Sequence, residues 1–150
     1  MTKQTKGRRA EIAMSPEEVT AFLEEERLLT CASLGRDGWP HLVPLTYAVR
    51  GGECWSWTYA KSQKVRNLER DPRCTVQVEA GERYSEYRGV MIKAQCELHR
   101  DLDTVVALGE ELALRVGGAV DPERVRQRAS KRVALRFRAC EIVSWDHRKL

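Results

Sequence analysis

The sequence predicts a mainly β fold with flanking helices, in which six antiparallel strands curl into one small barrel. Three observations carry that reading. Between Leu28 and Trp145 most of the chain falls into short apolar runs or period-two alternation, separated by turns such as Gly35-Arg36-Asp37-Gly38 and Arg50-Gly51-Gly52-Glu53. Only one short helical stretch, Lys61 to Arg70, interrupts the third and fourth strands. The βαβα alternation of a doubly wound sheet is absent, and no G-x-G-x-x-G follows a strand, which excludes a dinucleotide-binding fold of that kind.

The elements follow in order. Residues 1–13 are polar, basic and aperiodic, and read as a disordered tail ahead of a single domain over residues 14–150. Ser15-Pro16-Glu17-Glu18 opens a helix, with Ser15 as the cap, Pro16 as the first helical residue and the acids at the positive end of the dipole. Val19, Phe22 and Leu23 form its apolar stripe, and it ends near Glu26. Strands are expected at 28–34, 39–49, 54–59, 74–79, 84–98 and 132–145. Pro40 and Pro44 mark the second as an edge or bulged strand. Gly89 inside the fifth marks a bulge or a close approach to the backbone. Residues 101–116 form a helix ended by Gly117-Gly118, and Asp121-Pro122-Glu123 opens a short arginine-rich one.

Composition narrows the function. At 150 residues the chain supports one core, and 42% apolar with 32% charged residues is an ordinary globular balance. Mean hydropathy is -0.52, and no apolar run approaches the roughly 20 residues that cross a bilayer. Neither a membrane role nor export is expected, and the cytoplasm is the expected compartment. A net charge of +4 favours an anionic ligand but falls short of a nucleic-acid signature. The five cysteines, Cys31, Cys54, Cys74, Cys96 and Cys140, are too scattered for a metal knuckle and read as reduced sheet residues.

The chemistry concentrates at Lys61-Ser62-Gln63-Lys64. Ser62 suits a helix N-cap, its hydroxyl accepting from first-turn N–H groups, while Val65 and Leu68 form the short apolar face and Pro72 stops the helix. Free N–H groups, the dipole's positive end, a hydroxyl and two lysines meet at one turn, which is what a phosphate site requires. Helical side chains lean towards the N-terminus, so Lys64 is expected to line the surface beside Lys61 and Ser62.

The order of these features resembles the split β-barrel flavin and deazaflavin oxidoreductases, the pyridoxamine 5′-phosphate oxidase superfamily. The likeness runs from Ser15 to Asp146 and is carried by Gly35-Arg36-Asp37-Gly38-Trp39-Pro40-His41, by Pro44-Leu45-Thr46-Tyr47, by the closing Val143-Ser144-Trp145-Asp146, and above all by Thr58 to Arg73, which contains K-S-x-K-x-R-N-L-x-x-D-P-R. It implies a six-stranded antiparallel split β-barrel that pairs as a homodimer with the cofactor in the groove between chains. It further implies that Ser62 and Lys64 hold the cofactor phosphate with Lys61 and Thr58 beside it, that Leu45, Thr46 and Tyr47 lie along the ring, and that Asn67 and Gln77 add contacts. His41-Leu42-Val43-Pro44 replaces the arginine-rich strand of the vitamin oxidase, and the substrate-phosphate arginine motif is missing. The short chain and S-W-D ending resemble the branch that uses the deazaflavin F420, with FMN as the alternative.

The protein is therefore expected to be an oxidoreductase that moves a hydride between F420 and a planar unsaturated small molecule. A non-catalytic module binding a flavin or tetrapyrrole is the reading from another class. Flavins and deazaflavins react at their own ring, so no catalytic side-chain nucleophile or acid–base pair is expected. Tyr47 and Tyr59 are candidate proton donors as well as packing residues. Trp55 and Trp57 share a sheet face, as a stacking wall, a core or a dimer seam. Arg126, Arg128, Lys131 and Arg132 form a basic cluster suited either to solvent or to an acidic cofactor tail.

Overall fold

The computed structural model describes residues 7–150. The first six residues of the basic tail lie outside that range. Residues 8–13 depart from the disorder expected of them. α1 (Arg8–Glu11) forms one turn, Ile12 O accepts from the Asp146 amide at 2.7 Å, and the Met14 amide donates to Ser144 Oγ at 2.9 Å. The closing strand thus supplies partners that the tail's own sequence does not reveal.

α2 (Pro16–Glu25) starts as expected: Ser15 Oγ accepts from the Glu18 amide at 3.1 Å and the Glu18 carboxylate accepts from the Ser15 amide at 3.3 Å. The strands are β1 (Leu28–Leu34), β2 (Pro40–Thr46), β3 (Ala48–Arg50), β4 (Glu53–Tyr59), β5 (Arg73–Ala80), β6 (Arg88–His99) and β7 (Arg132–Asp146). α3 (Gln63–Arg70) joins β4 to β5, and α4 (Leu102–Arg115) and α5 (Pro122–Ala129) join β6 to β7. Asp101 and Asp121 cap α4 and α5 through their carboxylates. Gly51 and Gly52, with φ of 58° and 78°, make the tight β3–β4 turn that side chains with a Cβ resist.

The sheet has seven strands, not six, in the order β2-β1-β5-β6-β7-β4-β3, all neighbours antiparallel. The strand expected over 39–49 divides at Tyr47. Up to Thr46 the chain pairs with β1; from Ala48 it pairs with β4. Consecutive strands therefore occupy the two edges, which forces the sheet to curl. Ser56 Oγ donates to Thr46 O at 2.7 Å across the closing gap. The stretch expected to begin a strand at Tyr84 is instead a 3-10 turn, Tyr84–Glu86. Gly89 marks a close approach: a Cβ there would lie 2.1 Å from Trp145 Cζ2, while the register shift falls at Lys93/Ala94.

The curled interior is filled by alternate residues, among them Leu29, Cys31, Val76, Val78, Val90, Ile92, Leu135 and Phe137. A second cluster, outside β4 and β7, joins Ala48 and Ala134 to Val105, Leu108 and Leu112 of α4 and Ala129 of α5. Trp55 and Trp57 pack against it, so the face shared by the two indoles is core. α3 is anchored to the interior by Val65 and Leu68, both almost fully buried. Each such side chain contributes about 1.5–3 kcal/mol, enough to hold an eight-residue helix that is marginal in isolation.

Candidate functional site

Burial of Val65 and Leu68 tips the amino end of α3 against the end of β4, and the site residues follow from that seat. Lys64 is four residues before Leu68, so it shares the helix's inner face. It is not the surface-lining residue expected: it is only 8% exposed, and its Nζ donates to Thr58 Oγ1 at 2.8 Å. Burial holds the Lys64 ammonium below the usual lysine range. Thr58 is its one hydrogen-bond partner, and that partner is neutral.

Ser62 occupies the N-cap with extended backbone geometry, but its hydroxyl makes no capping bond. Ser62 Oγ is shielded from water and has no hydrogen-bond partner. The first-turn N–H groups, which have no intrahelical acceptor, are therefore not satisfied by the serine as expected. Lys61, exposed, completes the turn. Of the four expected residues, Thr58 and Lys64 are in contact, while Lys61 and Ser62 lie on the turn that leads into the helix. Hydroxyl, ammonium and helix amino end form a set of donors suited to phosphate oxygens.

The remaining expected residues divide. Leu45 packs on the interior and Thr46 follows it at the end of β2, its carbonyl taken by Ser56. Tyr47 is 1% exposed and its hydroxyl donates to Leu23 O at 2.6 Å, beneath the Arg115 guanidinium at 5.0 Å. It belongs to the core, so neither ring contact nor proton donation fits it. The cause is the change of strand partner, which turns Tyr47 inward. Asn67 is fully buried; its amide donates to Ser33 Oγ at 3.1 Å and its carbonyl accepts from Gln63 at 2.9 Å. Its bonds fasten α3 to β1. Gln77 alternates with the inward Val76 and Val78 and donates to Glu79 Oε2 at 3.2 Å, on the sheet face away from Lys64. Tyr59 is exposed, stacked under Arg132 at 4.3 Å.

Ser33 was not singled out by sequence, although its parity with Leu29 and Cys31 marks it as an inward-facing polar residue. Burial pushes the Cys54 and Cys96 thiols up to about 12. Cys31 lies lower, because the Cys74 thiol donates to it and the Lys64 charge is near. Among the described residues no three His, Cys, Asp or Glu side chains gather as a metal site, and no helix is long and apolar enough to cross a membrane.

Comparison with known proteins agrees with this architecture. No curated protein sequence matches the chain. A conserved hypothetical protein, Rv2991 from Mycobacterium tuberculosis, shares 40% identity and superimposes with a TM-score of 0.88 over 99% of this chain and 92% of its own. An F420 reductase matches at 21% identity and a TM-score of 0.65, covering 81% of this chain and 93% of its own. HutZ, the heme storage protein from Vibrio cholerae, matches at 15% identity and 0.67, covering 85% and 93%. At such identities the last two show a shared fold alone. The sequence profile described as pyridoxamine 5′-phosphate oxidase matches residues 15–146, nearly the whole described chain, and the protein belongs to that family of split-barrel proteins.

Proposed function

We propose that the protein is a homodimeric oxidoreductase that binds F420 at the amino end of α3 and moves a hydride between it and a planar unsaturated small molecule. The observations that carry this reading are a buried Lys64 ammonium and, two residues earlier in the chain, a shielded, unbonded Ser62 hydroxyl. A desolvated cation with one neutral partner and an orphan hydroxyl both carry a free-energy cost that a phosphate oxygen would relieve. Lys64 supplies a fixed charge, Ser62 and the first-turn N–H groups supply directional bonds, and Thr58 holds the ammonium in place. Lys61 adds a solvent-side cation. A bound deazaflavin supplies the hydride chemistry; the chain's residues orient it and exclude water.

The fold shared with an F420 reductase supports the cofactor choice. A dimer is supported by the outer face of β1, β2 and β5. Leu28, Leu34 and Leu42 are exposed there, and a shallow groove of about 430 Å³ is lined by Ala32, Pro40 and Thr75 with Arg73 and Lys93 beside them. FMN remains the alternative, favoured by the family's name, because its phosphate meets the same donors. Non-catalytic ligand storage is a second alternative, favoured by the fold shared with a heme storage protein.

Parallel equilibrium titrations with F420 and FMN test the reading. F420 is expected to bind more tightly; a strong preference for FMN replaces it with the alternative. A reduced cofactor that persists with every planar acceptor offered replaces catalysis with storage.

A further inference from the structure

The chain's net charge of +4 is spread unevenly. Residues 121–132 hold five cations, Arg124, Arg126, Arg128, Lys131 and Arg132, against two acids, Asp121 and Glu123. Both acids stand at the amino end of α5, where the Asp121 carboxylate accepts from the Glu123 and Arg124 amides at 3.2 and 3.3 Å. Val125 and Ala129 take the inner face of α5, which leaves Arg124 and Arg128 four residues apart on an outer one. Like charges at that spacing destabilise a helix. Neither these cations nor the neighbouring, exposed Lys61 are ion-paired among the described residues, whereas Arg136 and Arg138 further along β7 pair with Glu53 and Glu97 at 2.7 and 3.0 Å. The start of β7 carries the positive surface across to β4. Arg132 stands opposite Tyr59 in the sheet register, and the Ala60 amide donates to Lys131 O at 2.9 Å. The Arg132 guanidinium donates to Arg128 O at 3.0 Å and lies over the Trp57 and Tyr59 rings at 4.7 and 4.3 Å, which fixes it in place. Tyr59 itself is 57% exposed, so an aromatic ring open to solvent stands among unpaired cations.

We infer that this surface, from α5 across the start of β7 to Tyr59, binds single-stranded nucleic acid. It does not rest on the cofactor proposed above, since α5 is no part of the site at α3. Arginine presents a planar fork of donors that matches phosphate oxygens two at a time. Arg124, Arg128, Lys131 and Arg132 form a row that meets successive phosphates. The modest net charge of the whole chain conceals this row, because the remaining cations are largely offset by acids elsewhere. Tyr59 supplies what a purely acidic partner has no use for, a ring face on which a base stacks. An acidic peptide would be held by the cations alone, and the stacked Arg132–Tyr59 pair would add nothing to it.

Fluorescence anisotropy of the full chain with a labelled oligouridine of about twelve nucleotides tests this. With four or five phosphates neutralised, affinity should fall about fifty- to a hundredfold between about 50 and 200 mM salt. Arg124→Gln and Arg128→Gln, at exposed positions where circular dichroism should show the fold intact, should each weaken binding about three- to tenfold and flatten the salt dependence. Tyr59→Leu should weaken it about tenfold with the salt dependence unchanged, and Tyr59→Phe should restore it. Absence of binding at about 0.15 M salt overturns the inference. Indifference to Tyr59→Leu also overturns it. Displacement by an oligoglutamate of equal charge as readily as by unlabelled oligouridine assigns the cations to an acidic partner, and displacement by stoichiometric F420 assigns them to the cofactor; either result overturns the inference and leaves the site at α3 standing.

Discussion

Replacing Lys64 by methionine separates what the lysine does for the ligand from what it does for the fold. Methionine keeps most of the stem that fills the space beside Val65 and removes the charge. The ammonium is buried and has one neutral partner, Thr58 Oγ1 at 2.8 Å. Losing that bond costs about 1 kcal/mol, and relief of a desolvated charge acts in the opposite direction. The free variant should therefore unfold within about 1 kcal/mol of the parent. Binding lacks that compensation: one charge-assisted contact to phosphate is worth roughly 1.5–3 kcal/mol, a tenfold to hundredfold weaker complex. Thermal unfolding with and without ligand reads both quantities, since ligand at a hundred times its dissociation constant stabilises by about 2.7 kcal/mol. The pH dependence follows with a definite sign. Burial lowers the Lys64 pKa from its ordinary value. Between the folded value and about 10.4 the unfolded chain binds more protons, so this group's contribution to stability rises with pH through that window. Anion affinity falls through the same window as the ammonium is lost. The difference between parent and variant isolates both trends. Unchanged affinity for a phosphate-bearing ligand, or parallel pH curves, refutes the assignment.

Other consequences are quickly checked. Gly109→Ala gains about 1 kcal/mol of helix propensity, but its Cβ would lie 2.4 Å from Trp57 Cζ3 and 2.9 Å from Val125 Cγ1. Overpacking at about 1–3 kcal/mol outweighs that gain, so a lower denaturation midpoint is expected, partly restored by Trp57→Phe. Tyr47→Phe removes a buried bond of 2.6 Å to Leu23 O and should cost about 1–2 kcal/mol of stability without altering cofactor affinity; a selective loss of affinity would return Tyr47 to the site. Native thiol titration should label Cys140 first, because it alone among the five cysteines is exposed, and the other four only on unfolding.

What the sequence reveals depends on how local each cause is. The caps at Ser15, Asp101 and Asp121 are legible because a short polar side chain and the amides two or three residues on make the whole interaction. The shared face of Trp55 and Trp57 follows from strand parity, but what covers it does not: the glycine that admits Trp57 stands on α4, more than 50 residues later. The split at Tyr47 is illegible for the same reason. Nothing in Leu45-Thr46-Tyr47-Ala48 states that its first half pairs with β1 and its second with β4. Lys64 is the instructive case. Its spacing from Leu68 places it on the apolar face, yet charge alone suggests a solvent-facing residue. A lysine at an apolar position must either snorkel or find a partner, and here it stops at Thr58 with Ser62 unbonded nearby. Asn67 also breaks the apolar pattern of α3, but Ser33 and Gln63 satisfy its amide. The equally inward Lys64 keeps a charge with one neutral partner; that difference, not polarity alone, is what singles out Lys64 for the proposed anion.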